Sequence, residues 1–254
     1  MIVPASFGSQ FSDAIDFILH KRESVSGGIQ VGGSELLGLT ATHLYLSLAA
    51  VAIACAIAVP LGLWLGHIGR FEFLAISISS IGRAVPTLAL IAFFIAYLGV
   101  GFTNVLVVLV LLAIPPILTN TYVGTRQVER DAVDAARGVG MTPAQVVRKV
   151  ELPLALPTIF GGIRTSAVNV LATATIAPLA SVDTLGTPII SANVYGDAGR
   201  LGAAVLVALL TLAADAGLGA LQRAVTSKGL KTGAREPRRR RLRISIPTRR
   251  GHAT

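Results

Sequence analysis

The charged residues with the most unusual setting in this sequence are Arg164 and Asp215, each a lone charge within a long apolar run. A charged side chain inside an apolar helix is costly and is normally paired. Counted from Pro153 and Arg223, both residues lie roughly 12 to 17 Å from the same ends of their helices, at about 1.5 Å per residue. We therefore predict an ion pair that joins the two helices, and we favour a structural role for it over a functional one.

Catalytic chemistry is not predicted. The four histidines and the single cysteine, Cys55, are scattered, so they do not form the cluster of nucleophiles, acids or metal ligands that a membrane-embedded enzyme needs. The sequence also lacks the Gly-x-x-x-x-Gly-Lys-Ser/Thr loop that holds the phosphates of ATP. His43 is expected at a membrane interface or as a helix cap. We expect no catalytic residue, no metal site and no bound cofactor.

The elements that must position the ion pair are membrane spans. Of the 254 residues, 53% are hydrophobic and only 14% are charged, and the mean hydropathy is +0.71. This composition is typical of a protein embedded in a bilayer. A span needs about 20 apolar residues, and the charge-free stretch 84–125 is long enough for two spans if "GVGFTN" at 99–104 separates them. The second span starts at Ala84 or, with a kink at Pro86, near Phe73. We predict an all-α protein with five spans: 44–66, a second that ends at the break, 105–122, 154–177 and 201–221.

Lys and Arg residues are divided unevenly between the two sides of this bundle. One side would carry the C-terminal tail and Arg70, Arg83, Arg126, Arg130, Arg137, Arg148, Lys149 and Arg223. The other side would carry only Lys21, Arg22 and Arg200. Because cytoplasmic loops are rich in Lys and Arg, we predict that the first side is cytoplasmic, with the N-terminus outside and the C-terminus inside. The chain then divides into an extracytoplasmic segment at 1–38, a transmembrane domain at 39–226 and a basic tail at 227–254.

The net charge of +9 belongs to the tail. From Lys228 onward there are ten basic residues and one acid, whereas the rest of the chain has twelve of each. A basic tail can bind nucleic acid, but beside a membrane domain it is expected near anionic lipid headgroups. We therefore predict lipid, and not nucleic acid, as the partner of the tail.

A charged stretch, "DAARGVGMTPAQVVRKVELPLALP" at 134–157, interrupts the apolar runs. Residues 127–137 combine good helix formers with acids near the start, and Gly138 and Gly140 can close such a helix in the left-handed conformation. The sequence therefore predicts a first short helix that ends at a glycine turn.

A second helix is predicted directly after this turn. Thr142 is placed as an N-cap, Pro143 occupies the first helical position, and Gln145 follows three residues after the cap, which together indicate a capping box. Its apolar face would consist of Val146, Val147 and Val150. A simple connection between two spans could be shorter and less ordered, so we interpret this loop as a docking element.

The spacing within this loop resembles a known motif. The cytoplasmic loop of permease subunits of ATP-binding-cassette importers carries Glu-Ala-Ala, then Gly, then Ile-x-Leu-Pro, and here Asp replaces Glu and Val replaces Ile. The matching residues are Asp134, Ala135, Ala136, Gly140, Val150, Leu152 and Pro153. "THLYLSL" at 42–48, "GRAVPTLALIAFFIAYLGVG" at 82–101 and "VELPLALPTIFGGIRTS" at 150–166 resemble the osmoprotectant branch of these permeases. The similarity covers residues 36–230.

The resemblance implies a five-span importer-permease fold in which residues 126–153 form a cytoplasmic coupling helix-turn-helix. It also implies three partners: an ATP-binding subunit, an extracytoplasmic solute-binding protein, and a second permease subunit that is the same chain or a paralogue. The solute would be glycine betaine, choline, carnitine or proline betaine. Only 6% of the residues are aromatic, so few rings are available to surround a quaternary ammonium, and we expect its primary recognition in another subunit.

Two points stay open at this level. Asn169, Thr173 and Thr175 either line a transport pathway or pack between membrane helices. The nearest alternative function is an importer permease for another small solute, such as an amino acid. A secondary transporter is less favoured, because it needs no ordered docking loop and more often shows paired repeats with broken helices.

Overall fold

The apolar runs of the sequence form long helices. The computed structural model describes residues 7–69, 77 and 86–226. The helices of this described part are α1 (Phe7–Leu19), α2 (Glu35–Ile68), α3 (Thr87–Leu98), α4 (Phe102–Arg126), α5 (Arg130–Gly138), α6 (Pro143–Val146), α7 (Leu152–Thr173), α8 (Gly186–Ile190) and α9 (Ala192–Val225). A π-helical turn, Val147–Glu151, joins α6 to α7, and a 3₁₀ turn, Ala174–Ala180, follows α7.

Within the described part of the chain, four helical stretches are long and apolar enough to cross a membrane. They are Glu35–Ile68, Phe102–Arg126, Pro143–Ala180 and Ala192–Val225. Helix α3 is also apolar, but it has only 12 residues. The stretch in which we placed the start of the second span, residues 73–84, lies outside the described residues apart from Ser77. The all-α membrane fold is confirmed, whereas the count of five spans stays a prediction.

The predicted break between α3 and α4 is confirmed. Helix α3 ends at Leu98 and α4 begins at Phe102, and between them Gly99 and Gly101 have φ angles of 72° and 125°. Side chains disfavour both angles, so glycine is the residue that fits here. The N–H of Gly101 donates to the carbonyl oxygen of Ala180 at 2.7 Å, which fastens this turn to the loop after α7.

Two helices begin well before the spans that we predicted for them. Helix α2 starts at Glu35 and so includes residues 35–38, which we had placed in the N-terminal segment. Helix α9 starts at Ala192, although Gly196 interrupts its helical geometry with φ 67° and ψ −177°. Apolar length predicts where a chain enters lipid, and a helix can continue into water beyond that point.

Helix α4 lies at the centre of the bundle and packs against α2 and α7. Its neighbours approach closely because they present glycine at the contacts. A Cβ added at Gly62 of α2 would lie 2.7 Å from the Thr121 side chain, and one at Gly66 would lie 2.6 Å from the Thr125 side chain. On the other side, a Cβ at Gly162 of α7 would lie 2.7 Å from Asn120. Small residues of this kind let membrane helices gain dispersion contacts over their whole length.

The N-terminal residues cover one end of the bundle. Strands β1 (Lys21–Glu23) and β2 (Gln30–Gly32) form an antiparallel hairpin, which the sequence analysis did not predict. The backbone N–H of Val25 donates to the carbonyl oxygen of Val194 at 3.0 Å, and the Tyr195 hydroxyl donates to Glu35 at 2.7 Å. These contacts tie the hairpin and the start of α2 to the first turn of α9.

Candidate functional site

The charged loop between α4 and α7 forms an ordered surface at the opposite end of the bundle. We call residues 130–151 the coupling segment. Its first helix, α5, starts at Arg130, three residues later than predicted, and ends at Gly138. The N–H of Gly140 donates to the carbonyl oxygen of Arg137 at 2.9 Å, and the N–H of Met141 donates to that of Ala136 at 3.1 Å. The end of α5 is therefore closed by its own backbone.

Gly140 is the left-handed residue of this turn, with a φ of +84°. A Cβ added at this position would meet nothing within 4 Å, so the space around the glycine is open. Only the backbone angle selects glycine here, because L side chains disfavour it. The predicted glycine turn is confirmed.

The predicted capping box at the start of α6 is also confirmed. The N–H of Gln145 donates to Thr142 Oγ1 at 3.4 Å, and the N–H of Thr142 donates to Gln145 Oε1 at 2.9 Å. Pro143 occupies the first turn, where its missing N–H costs nothing. The start of α6 is therefore specified by three residues that are close together in the sequence.

Helix α7 starts at Leu152, close to the predicted start of the fourth span near Leu154, but the sequence did not predict that α6 runs directly into it. Helix α6 continues into α7 through the π-helical turn Val147–Glu151, in which the N–H of Leu152 donates to the carbonyl oxygen of Val147. Pro153 has no N–H for an ordinary helical bond, and its ring would clash with the carbonyl four residues earlier. A wider turn just before Pro153 relieves that clash, so the helix runs on without a break.

The motif residues of the coupling segment differ in exposure. Asp134 is 71% exposed and lies 3.8 Å from Arg137, whereas Ala136 is only 6% exposed. Ala135 is exposed beside Asp134. Val139, at the tip of the turn, is 76% exposed, which is unusual for an apolar side chain in an ordered loop. The exposed surface of the segment thus includes an acid, a small residue and an apolar side chain close to its turn.

The remaining motif residues lie where the segment meets the bundle. Val150 and Leu152 are half-buried, and Pro153 is exposed. Val146 is fully buried and anchors α6. These residues set the direction in which α6 leaves the bundle, rather than the surface that it presents.

A buried pair that sequence reasoning missed fastens the coupling segment to α2. Nδ1 of His67, in the last turn of α2, lies 2.9 Å from both carboxylate oxygens of Glu151. The side chains are only 17% and 6% exposed. Because the two residues are 84 positions apart, no local pattern could indicate their contact. The pair joins the last turn of α2 to the π-helical turn.

A cleft of about 270 Å³ lies beside this pair. It is enclosed by the ends of α2 and α4 and by α5. Its lining includes the charged or ionisable residues His67, Arg126, Arg130, Asp134, Arg137 and Glu151. The coupling segment is therefore separated from the ends of the spans by a polar space.

The structure brings Arg164 of α7 and Asp215 of α9 together. The Arg164 guanidinium donates from Nε and Nη2 to the two carboxylate oxygens of Asp215. Two turns further along α9, Gln222 Nε2 donates to the carbonyl oxygen of Pro157 at 2.7 Å. Helices α7 and α9 are thus joined by polar contacts on facing sides.

A polar face runs along the second half of α7. Thr165 and Asn169 are exposed, and Thr173 is half-buried one turn beyond Asn169. Residues at these spacings lie on one side of a helix. Thr175 is half-buried in the 3₁₀ turn, where its hydroxyl donates to the carbonyl oxygen of Ala172 at 2.7 Å.

His43, which we expected at a membrane interface or as a helix cap, lies close to the end of α7. It is fully buried, and its Nε2 lies 2.9 Å from the carbonyl oxygen of Leu171. The ring lies between α2 and α7, where its apolar surface is buried and one ring nitrogen contacts a backbone carbonyl oxygen. Among the described residues, no three His, Cys, Asp or Glu side chains are grouped so that they could hold a metal ion.

The sequence matches a known family over most of its length. Residues 58–227 match the family described as "Binding-protein-dependent transport system inner membrane component". A glycine betaine/carnitine/choline transport system permease protein, OpuCB, of Bacillus subtilis (strain 168) is 40% identical over 204 residues, which are 80% of this chain and 94% of that protein. The choline transport system permease protein OpuBB of the same strain is also 40% identical, with the same coverage. The carnitine transport permease protein OpuCB of Listeria monocytogenes is 38% identical over 80% of this chain and 93% of that protein.

Solved structures share the fold at lower identity. An inward-facing conformation of the MetNI methionine ABC transporter includes a chain with a TM-score of 0.65 and 22% identity, over 76% of this chain and 96% of that one. An amino acid ABC transporter solved with histidines has a TM-score of 0.58 and 19% identity, over 74% and 93%. At these identities the likeness concerns the fold alone.

Proposed function

We propose that this chain is the transmembrane permease subunit of an ATP-driven importer of quaternary ammonium osmoprotectants. The chain belongs to the family of inner-membrane components of binding-protein-dependent transport systems. The solutes would be glycine betaine, choline, carnitine or proline betaine. The observation that carries this proposal is the 40% identity to a glycine betaine/carnitine/choline permease over 94% of that protein.

The proposal is tested by uptake into cells that lack the chain and then regain it. Labelled glycine betaine, choline and carnitine are compared with labelled proline and methionine. Restored uptake of at least one quaternary ammonium, without the amino acids, is the expected result. Restored uptake of an amino acid alone would instead identify the importer permease for another small solute.

We propose that the coupling segment docks the ATP-binding subunit. Family membership implies a partner of this kind, and the exposed acid and apolar side chain at the loop tip, Asp134 and Val139, are suited to a protein partner. Ala135 and Ala136 would allow close approach, and Gly140 would set the turn. Val150, Leu152 and Pro153 would direct α6 into the bundle.

The His67–Glu151 pair would transmit force between this docking surface and the first long span. A hydrogen-bonded pair that is mostly shielded from water is stiffer than a surface contact. If ATP binding moves the coupling segment, Glu151 would carry His67 and the end of α2 with it. If the pair has this role, a variant that lacks the His67–Glu151 contact should keep the ATP-binding subunit and hydrolyse ATP, but without a matching amount of solute uptake.

We propose a structural role for the Arg164–Asp215 pair and a pathway role for the polar face of α7. Two hydrogen bonds between facing helices hold α7 and α9 in register. Asn169, Thr173 and Thr175 lie on or next to a polar face that lipid would not favour. Contact with the second permease subunit or with the solute would explain polar residues there.

The remaining parts of the importer follow from the family and from the charge distribution. An extracytoplasmic solute-binding protein would deliver the solute, and a second permease subunit, identical or paralogous, would complete the pathway. We place residues 1–38 outside, and the basic tail, 227–254, in the cytoplasm near anionic lipid. A reporter that works only in the cytoplasm should be active when fused after Leu230 and inactive when fused within 185–198. The opposite pattern would reverse the proposed orientation.

A further inference from the structure

Helix α1 has an apolar face that its contact with α9 covers only in part. Ala14 and Phe17 are buried, at 1% and 0% exposure, where α1 crosses α9. Phe11, Ile15 and Leu19 are 42%, 45% and 65% exposed. Their spacing of four residues places these three side chains on a single stripe beside the buried ones. The stripe therefore has no partner among the described residues of the chain.

The polar side of α1 points away from the middle of the bundle. Gln10 and Asp13 line a cleft with Asp197 and Arg200, at the first turns of α9. Asp16 and His20 are exposed and lie 2.8 Å apart on the same side of α1. The charged groups thus surround the end of α9 that extends beyond the bundle.

The apolar side of α1 points towards the middle of the bundle. A Cβ at Gly199 would meet the Phe17 ring at 3.3 Å, whereas one at Gly202, further into α9, would meet Ala14, Phe17 and then Ile18 at 3.4 Å. Around the circumference of α1, Ile18 therefore lies nearer to the middle of α9 than Phe17 does. The exposed stripe lies beyond Ile18 in the same direction around α1.

The contact with α9 lies at the level of a membrane boundary. Helix α9 has 34 residues, or about 51 Å at about 1.5 Å per residue, whereas the hydrocarbon core of a bilayer is about 30 Å thick. Gly202 is about 31 Å from Arg223, which marks the other boundary. Leu209, on the same face of α9 two turns below Gly202, is 57% exposed. Below α1, this face of α9 is therefore not covered by the described part of the chain.

We propose that α1 lies on the membrane surface with Phe11, Ile15 and Leu19 inserted among the lipids of the leaflet opposite the coupling segment. An amphipathic helix with its apolar side towards the acyl chains and its charged side towards water is stable in this position. The exposed stripe of α1 and the exposed Leu209 of α9, below the level of Gly202, then form one continuous lipid-facing surface. This contact anchors the N-terminal hairpin, and with it the first turn of α9, to the membrane.

Spin labels on the complete importer in proteoliposomes test this proposal. Cys55 is the sole cysteine of this chain, so Cys55→Ala, combined with partner subunits freed of cysteine, gives a background in which Ile15→Cys or Leu19→Cys is labelled alone. Asp13→Cys, on the polar side of the same helix, is the matched control. Oxygen concentrates in lipid and a nickel chelate in water, so the ratio of their collision rates reports the surroundings of each label.

The labels at positions 15 and 19 should collide several-fold more with oxygen than the label at position 13 does, and several-fold less with the nickel chelate. Equal access of the chelate at positions 13 and 15 would show that the stripe faces water and would overturn the proposal. Shielding of position 15 from both agents would show that a protein partner covers the stripe, and would overturn it too. If Ile15→Cys fails to assemble, Phe11→Cys and Leu19→Cys give the same comparison.

Discussion

The coupling segment and the body made of α2, α4 and α7 keep their shapes in different ways. In the segment, backbone turns, one capping box and one left-handed glycine act within a few residues of each other, and the space around Gly140 is open. In the body, helices from distant parts of the chain pack so closely that a Cβ added at Gly62 or Gly66 would lie less than 3.0 Å from a threonine side chain. Side chains on the surface of the segment can therefore be substituted without cost to the packing of the spans, whereas the glycines at the helix contacts of the body cannot. This is the division expected of a part that meets a partner and a part that carries the pathway.

The largest effect is expected where helices touch. Gly62→Val would place side-chain atoms on Thr121 and on the carbonyl oxygen of Leu118, which are 2.7 and 3.1 Å from an added Cβ. Overpacking of this kind should destabilise the body by about 3 kcal/mol. Thermal unfolding in detergent, followed by circular dichroism, measures the loss. Gly38→Val, on the same helix with nothing within 4 Å, is the control and should change stability by less than about 0.5 kcal/mol.

The second effect concerns the link between α7 and α9. Asp215→Ala leaves the Arg164 guanidinium without its carboxylate in an apolar span, so the yield of folded protein in the membrane should fall. The exchange Arg164→Asp with Asp215→Arg should recover much of that yield if the pair is structural. Recovery of folded protein together with recovery of uptake would exclude a specific role of Arg164 in transport. Full yield for Asp215→Ala alone would show that the pair contributes little.

A third change acts on the coupling segment without touching the body. Gly140→Val forces a β-branched residue into a φ of +84°, at a cost of about 2 kcal/mol within the turn. Uptake and solute-stimulated ATP hydrolysis should fall together, while the thermal unfolding temperature of the body changes little. Gly138→Val is the matched control, because Gly138 also has open space but not a positive φ. Equal losses for both variants would mean that bulk, and not the turn, is responsible.

The smallest effect is expected at the capping box. Thr142→Ala removes the acceptor for the Gln145 N–H and should cost about 1 kcal/mol, so that this amide exchanges its hydrogen about fivefold faster. Thr142→Ser keeps the acceptor and should exchange as the unchanged protein does. Because Val146 stays buried, uptake should be nearly unaffected. A large loss of uptake would mean that the capping residue itself contacts a partner.

Whether a feature could be predicted from the sequence depends on how far apart in the chain its interacting residues lie. The glycine turn and the capping box depend on residues within five positions of each other, and both were predicted correctly. The depth of Arg164 and Asp215 was also predictable, since helical rise converts sequence distance into height. His67 and Glu151 were missed because their contact depends on how α2 packs against the turn before α7. The continuous helix from α6 to α7 was missed because a proline ordinarily interrupts a helix, and no local pattern indicates the wider turn that accommodates Pro153.

The difference between segment and body also explains why the proposed docking surface was only partly predicted from the sequence. Asp134, Ala135 and Gly140 were singled out through a resemblance, which marks positions but not exposure. Val139 was passed over as an ordinary apolar residue, yet it is the most exposed large apolar side chain in the described part of the chain. The exposure of Val139 depends on the geometry of the turn at Gly140, so the sequence alone does not indicate it.

Copurification of the ATP-binding subunit tests whether the coupling segment is its docking site. Two acids can be compared, since each lies three residues before an arginine on an exposed helix: Asp134 is 3.8 Å from Arg137 in the coupling segment, and Asp197 is 3.6 Å from Arg200 at the other end of the bundle. Asp134→Lys and Asp197→Lys make the same change of charge. We expect that the complete importer carrying Asp134→Lys loses most of its ATP-binding subunit on purification, while the one carrying Asp197→Lys keeps it. Equal retention of the ATP-binding subunit by both variants, with normal uptake, would contradict the docking role of the coupling segment.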